Sequence, residues 1–99
     1  MVEVLETRLD DAIIRRTLSK SKLRRDILRG LMSGDMYQYE LARKIGSDST
    51  NTKGGVEGLE PRYSVSRSLV ALGLVTVWSD GVYKYYGLTQ KGRWWYRNL

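Results

Sequence analysis

Apolar residues recur along most of this chain at helical spacing. Val2, Leu5, Leu9 and Ala12 fall three, four and three residues apart, and Ile13 widens the stripe, which predicts a helix over 2–18 with a heptad-like seam. Ser19-Lys20-Ser21 interrupts it, and either serine suits the N-cap of the next helix. Leu23, Ile27, Leu28 and Leu31 predict a second helix over 22–32, with Arg24, Arg25 and Arg29 on its other face. Ser33-Gly34-Asp35 breaks it. A short helix is predicted over 36–45, with Tyr39, Leu41, Ala42 and Ile45 turned inward and Gly46 as C-cap.

The pattern then lapses. Residues 47–58, SDSTNTKGGVEG, have the composition of a long loop. Pro61 fits a first helical turn, and Val65, Leu69 and Leu72 continue a helix that Gly73 closes. Leu74-Val75-Thr76-Val77-Trp78 reads as a strand, Ser79-Asp80-Gly81 as a hairpin turn and Val82–Leu88 as the returning strand. Thr89 caps a last helix to Leu99, in which Trp95 shares a face with Gly92 and Leu99 and is the core candidate.

The predicted order is four helices, a hairpin and a helix. This is an α+β class, mostly helical: a winged helix-turn-helix with an added N-terminal helix and a two-stranded wing. The expected organisation is one domain over 1–99, with an N-terminal helix (1–18), a winged-helix core (22–88) and a C-terminal helix (89–99).

Charge sharpens the picture. Seventeen Lys and Arg against eleven Asp and Glu give +6, which favours a polyanionic partner. The excess is uneven. Residues 19–46 hold seven basic and three acidic residues and 74–99 hold four and one, whereas the first eighteen hold three and four. The chain has no Cys and no His. Thiol and imidazole catalysis and the usual zinc ligands are therefore unavailable, and no cofactor or metal is expected. Asp10-Asp11 are adjacent and share no helix face, and Lys53-Gly54-Gly55 lacks the spacing of a phosphate-binding loop. An enzyme is not expected, nor a membrane span, and the acidic start of the chain does not read as a signal peptide. The expected location is cytoplasmic.

Tyr85-Tyr86-Gly87-Leu88-Thr89-Gln90-Lys91-Gly92-Arg93 resembles the YYxLTxKGR ending of wing and closing helix in the PadR, MarR and ArsR regulators of bacteria and archaea. Ile27–Leu41 is similar to the PadR opening that leads into GYEL, with Gln38 where that family has Gly. Ser64-Val65-Ser66-Arg67-Ser68-Leu69 resembles the TVSRHL start of recognition helices, and Gly73-Leu74-Val75 the GLV that leads into the wing. The resemblance spans about residues 23–99. It implies a sequence-specific regulator of double-stranded DNA, and the N-terminal seam with Trp94 and Tyr96 suggests that it acts as a homodimer. A weakly specific architectural DNA-binding protein and a protein-interaction module remain alternatives on the same fold.

The candidate DNA contacts are Arg62, Tyr63, Ser64, Ser66 and Arg67 at the start of the expected recognition helix, where Arg suits guanine and hydroxyls suit phosphate. Tyr83 and Lys84 in the wing, Tyr37 and Gln38, and Lys20, Lys22 and Arg24 complete the set. Val2, Leu5, Leu9, Ala12 and Ile13, with Trp94 and Tyr96, are the candidate dimer surface, since a small domain has little to cover them with.

Overall fold

A computed structural model describes residues 2–58 and 68–99, the first eight of these by backbone alone. The elements are α1 (Val2–Lys20), α2 (Lys22–Leu31), β1 (Met36–Tyr37), α3 (Gln38–Ile45), α4 (Ser49–Glu57), β2 (Val75–Ser79), β3 (Lys84–Leu88) and α5 (Gln90–Arg97).

The N-terminal helices form where their periodicity places them. Ser21 is the cap between them, its hydroxyl accepting from the Arg24 N–H at 3.2 Å. Arg25 reaches back to the end of α1, donating to the carbonyls of Leu18 at 2.7 Å and Ser19 at 2.9 Å. A guanidinium there satisfies orphan carbonyls and meets the negative end of the helix dipole. Ile14, Thr17 and Leu18 of α1 and Ile27, Leu28 and Leu31 of α2 are buried. Gly30 lets α3 come close: a Cβ there would lie 2.8 Å from Leu41 Cδ1.

Two expectations are corrected in the middle of the chain. Residues 49–57, read as loop, are helix α4. Asp48 caps it, accepting from the backbone and side-chain N–H groups of Asn51, both at 2.7 Å. Gly54 and Gly55 disfavour a helix by about 1 kcal/mol each, but both are buried. At Gly55 a Cβ would stand 2.9 Å from Ile27 Cδ1, so the absent side chain is what lets α4 lie on α2. Tertiary packing overrides composition here. Conversely, the helix expected over 61–73 lies outside the described residues as far as 67, and 68–73 is a turn. Gly73 does close it, at φ +76, with Leu74 N–H on the Leu69 carbonyl and Gly73 N–H on that of Val70, the Schellman pattern. The Leu69 and Val70 N–H groups donate to Gly55 and Val56, satisfying carbonyls at the end of α4.

The sheet has three antiparallel strands in the order β1-β3-β2. The wing hairpin is as expected, although β3 begins at Lys84, not Val82, because Asp80 holds residues 80–83 as a loop. Its carboxylate accepts from the Val82 N–H at 2.8 Å and the Tyr83 N–H at 2.7 Å. The third strand is an addition. Met36 and Tyr37, expected to open a helix, pair instead with Tyr86 and Tyr85. Thr89 caps α5, accepting from Gly92 N–H at 2.9 Å, and Trp95 is buried as expected. Tyr86, Leu74, Val75, Leu69, Val56 and Trp95 join the helix residues in one core.

Candidate nucleic-acid interface

Helices α3 and α4 are joined by three residues. Gly46 adopts the left-handed conformation at φ 72 and ends α3, Ser47 N–H returns to the Ala42 carbonyl at 2.9 Å, and Asp48 starts α4. Gln38, the first residue of α3, ties that end to the start of α4, its amide donating to the Ser49 carbonyl at 2.8 Å. This is a helix-turn-helix, and in such pairs the N-terminal end of the second helix enters the major groove. That end carries Ser49, Thr50, Asn51 and Lys53, all reaching solvent, while Thr52 and Val56 face the core. Sequence reasoning missed these four residues. The signal was present in Gly46 followed two residues later by a capping Asp, but the polar run and paired glycines outweighed it.

The candidates chosen from sequence divide into several groups. Arg62, Tyr63, Ser64, Ser66 and Arg67 lie outside the described residues. Gln38 is spent on the α3–α4 tie. Lys20 is exposed at the end of α1. Lys22 is exposed but ion-paired with Asp26 at 2.7 Å, and Arg29 faces the same carboxylate at 3.6 Å. Arg24 is a correction: only 9% of it is accessible. It stands three and four residues before Ile27 and Leu28, which puts it on the inward face. Of the basic residues of α2, Arg24 is turned inward and Arg25 holds the end of α1, while Lys22 and Arg29 stay exposed beside Asp26.

Lys84 is half-exposed and already holds a partner within the protein. Its ammonium bonds both Glu57 oxygens, at 3.0 and 2.8 Å, joining the wing to the last turn of α4. The buried Tyr86 adds its hydroxyl to Glu57 Oε2 at 2.6 Å. Burial pushes the Glu57 carboxyl up, but the hydrogen bonds from Lys84 and Tyr86 and the charges of Lys84 and Lys53 outweigh it, and the net shift is downward. Burial first, and then the Glu57 carboxylate, hold the Tyr86 hydroxyl protonated far above its usual range.

Tyr37 and Tyr83, far apart in sequence, meet with ring centroids 5.7 Å apart. They belong to an aromatic row across the outer face of the sheet, where Tyr37, Tyr85 and Trp78 stand opposite one another on three strands. Trp78 stacks on Tyr85 at 4.4 Å, and its indole N–H donates to Asp35 at 2.8 Å. Beside the row, Met36, Tyr37, Tyr39, Glu40, Arg43 and Lys44 line an open groove of about 330 Å³.

Of the expected dimer surface, Ala12 and Ile13 are exposed, Ile13 at 42%. The side chains of Val2, Leu5 and Leu9 lie outside the description. Trp94 is 55% exposed, whereas Tyr96 is half-buried and packs on the core. Arg15 of α1 sits over the Trp95 ring at 5.7 Å, so the terminal helices meet. Among the described residues there is no cluster of metal-ligating side chains, and no helix is long and apolar enough to cross a membrane.

Solved structures share this fold. The homodimeric winged helix-turn-helix DNA-binding domain of Mb0332 from Mycobacterium bovis, a possible ArsR-family transcriptional regulator, superposes with a TM-score of 0.73 at 18% identity, over 95% of this chain and 78% of that one. HlyU from Vibrio cholerae gives 0.70 at 14% identity, over 100% and 94%. The transcriptional repressor BigR from Xylella fastidiosa gives 0.67 at 23%, over 100% and 92%. The chain thus has the winged-helix fold. In sequence it is 40% identical over 86 residues to the uncharacterised protein MJ0905 of Methanocaldococcus jannaschii, covering 84% of this chain and 78% of that protein. The family model described as EarA-like matches residues 14–99, and the chain belongs to that family.

Proposed function

We propose that this protein is a transcriptional regulator that binds specific sites in double-stranded DNA as a cytoplasmic homodimer. The observation that carries the reading is the three-residue α3–α4 link, which presents Ser49, Thr50, Asn51 and Lys53 at the open end of the second helix. The amide and hydroxyls there suit base edges and phosphate, and Lys53 suits phosphate. Arg62, Tyr63, Ser64, Ser66 and Arg67 stay among the proposed contacts, as does the exposed Tyr83 of the wing loop. The net charge of +6 supports association with a polyanion. Mb0332, whose fold matches over 95% of this chain, is a homodimeric DNA-binding domain.

Selection from a random duplex pool, followed by titration at several salt concentrations, tests the reading. A preferred site bound ~10³-fold or more above random duplex is expected. Asn51→Ala should lower affinity for the selected site by ~1–3 kcal/mol with little effect on random duplex. Equal affinity for every sequence would point to an architectural protein, and absence of binding to an interaction module.

A further inference from the structure

Glu57 is out of place by every local rule. It lies in the last turn of α4, where the helix dipole repels a carboxylate, and on a helix that the reading above turns toward phosphates. Its surroundings account for it. Lys84 and Tyr86, two residues apart on one face of β3, both bond to it. Tyr86 is fully buried and fixed in register between Met36 and Val77. It therefore gives Glu57 an immobile reference point in the sheet, while Lys84 is the first strand residue after the wing loop. No other side-chain hydrogen bond or ion pair among the described residues joins α4 to the wing strands.

We propose that Glu57 is a positioning residue that sets the wing relative to α4, so that sequence preference at the flanks of the bound site depends on it. This rests on the DNA-binding reading. The leverage is geometric. From Tyr86 the strand runs two residues to Lys84 and the loop two more to Val82, a reach of at most ~13 Å. A tilt of about 10° at the base moves the wing loop ~2 Å, enough to break a hydrogen bond whose length varies by only ~0.5 Å. Lys84 serves this purpose through the Glu57 carboxylate that its ammonium bonds.

The chain has no cysteine, so labels can be placed singly. Spin labels on Thr50→Cys and Val82→Cys, both exposed positions, report the distance between α4 and the wing by electron paramagnetic resonance. A single narrow distance distribution is expected for the otherwise wild-type protein and for Glu57→Gln, which keeps an acceptor for both partners. Glu57→Ala should broaden or shift it. Lys84→Met, which leaves the Tyr86 bond, should give an intermediate result and serves if Glu57→Ala fails to fold. In selection from the random duplex pool, the alanine variant should lose about tenfold discrimination at flanking positions, the worth of one base contact, and keep it at the centre. Identical distributions in wild type and Glu57→Ala, or in wild type and Lys84→Met if the alanine variant does not fold, overturn the proposal whatever the DNA result. If the distributions differ as expected but wild type selects no site, the positioning stands and the DNA reading falls.

Discussion

Replacing Gly92 with alanine tests how α5 is seated. In an open helix the change gains up to ~1 kcal/mol of helix propensity. Here the sign reverses. A Cβ at Gly92 would lie 2.1 Å from the Leu74 carbonyl oxygen and 3.1 Å from Leu88 Cδ2. The first is more than an ångström inside ordinary ~3.5 Å contact, and its partner is backbone at the entry to β2. It has no free end to swing away. That same oxygen accepts the Thr89 N–H at 3.1 Å, so moving α5 outward also stretches the bond that starts the helix. Overpacking costs ~1–3 kcal/mol and a weakened buried hydrogen bond ~1 more. After the propensity gain, about 1–3 kcal/mol is lost from a total of ~5–15. For a domain of this size that lowers Tm by ~5–20 °C. Thermal melts followed by circular dichroism measure it, with Gln90→Ala, an exposed position in the same turn, as the control expected to move Tm little. A Gly92→Ala protein melting within two or three degrees of wild type would show that α5 does not sit on Leu74, and the account of its seating would be wrong.

Gly87→Ala should also destabilise, because a Cβ there would meet the Asp35 carboxylate at 2.5–2.8 Å and displace it from Trp78; near-ultraviolet circular dichroism should register the altered indole. Glu57, held below its usual carboxyl range of about 4.5 when folded, adds stability that is complete above that value and is lost as pH falls through the folded pKa; the difference in urea stability between wild type and Glu57→Ala should therefore narrow on acidification from pH 6 to 3, and a constant difference counts against the ion pair. Leu5→Lys with Leu9→Lys should weaken self-association while leaving a folded domain, since charge in a buried seam is unfavourable. Sedimentation at micromolar concentration decides, and a monomeric wild type removes the dimer from the reading.

What the sequence determined by itself was whatever depends on local periodicity and end chemistry. The helices from α1 to α3, the Ser21 and Thr89 caps, Gly46 and Gly73 at their turns, and the Asp80-Gly81 hairpin all follow from spacings within a few residues. So does the inward face of Trp95. The wing motif 85–93 was legible because Leu88, Thr89 and Gly92 each answer a nearby backbone constraint. The contacts across the fold were not. Helix α4 exists because Gly55 fits under Ile27, a partner 28 residues away, and no propensity carries that information. Strand β1 is two residues long and gains its pairing only from β3. Arg24, Lys84 and Gln38 were read as free because sequence shows charge and polarity but not the partner that uses them. The tertiary structure alone decided that Lys84 meets Glu57 and that Tyr37 meets Tyr83. Such pairings depend on how layers pack at long range, and that is settled by the whole core at once.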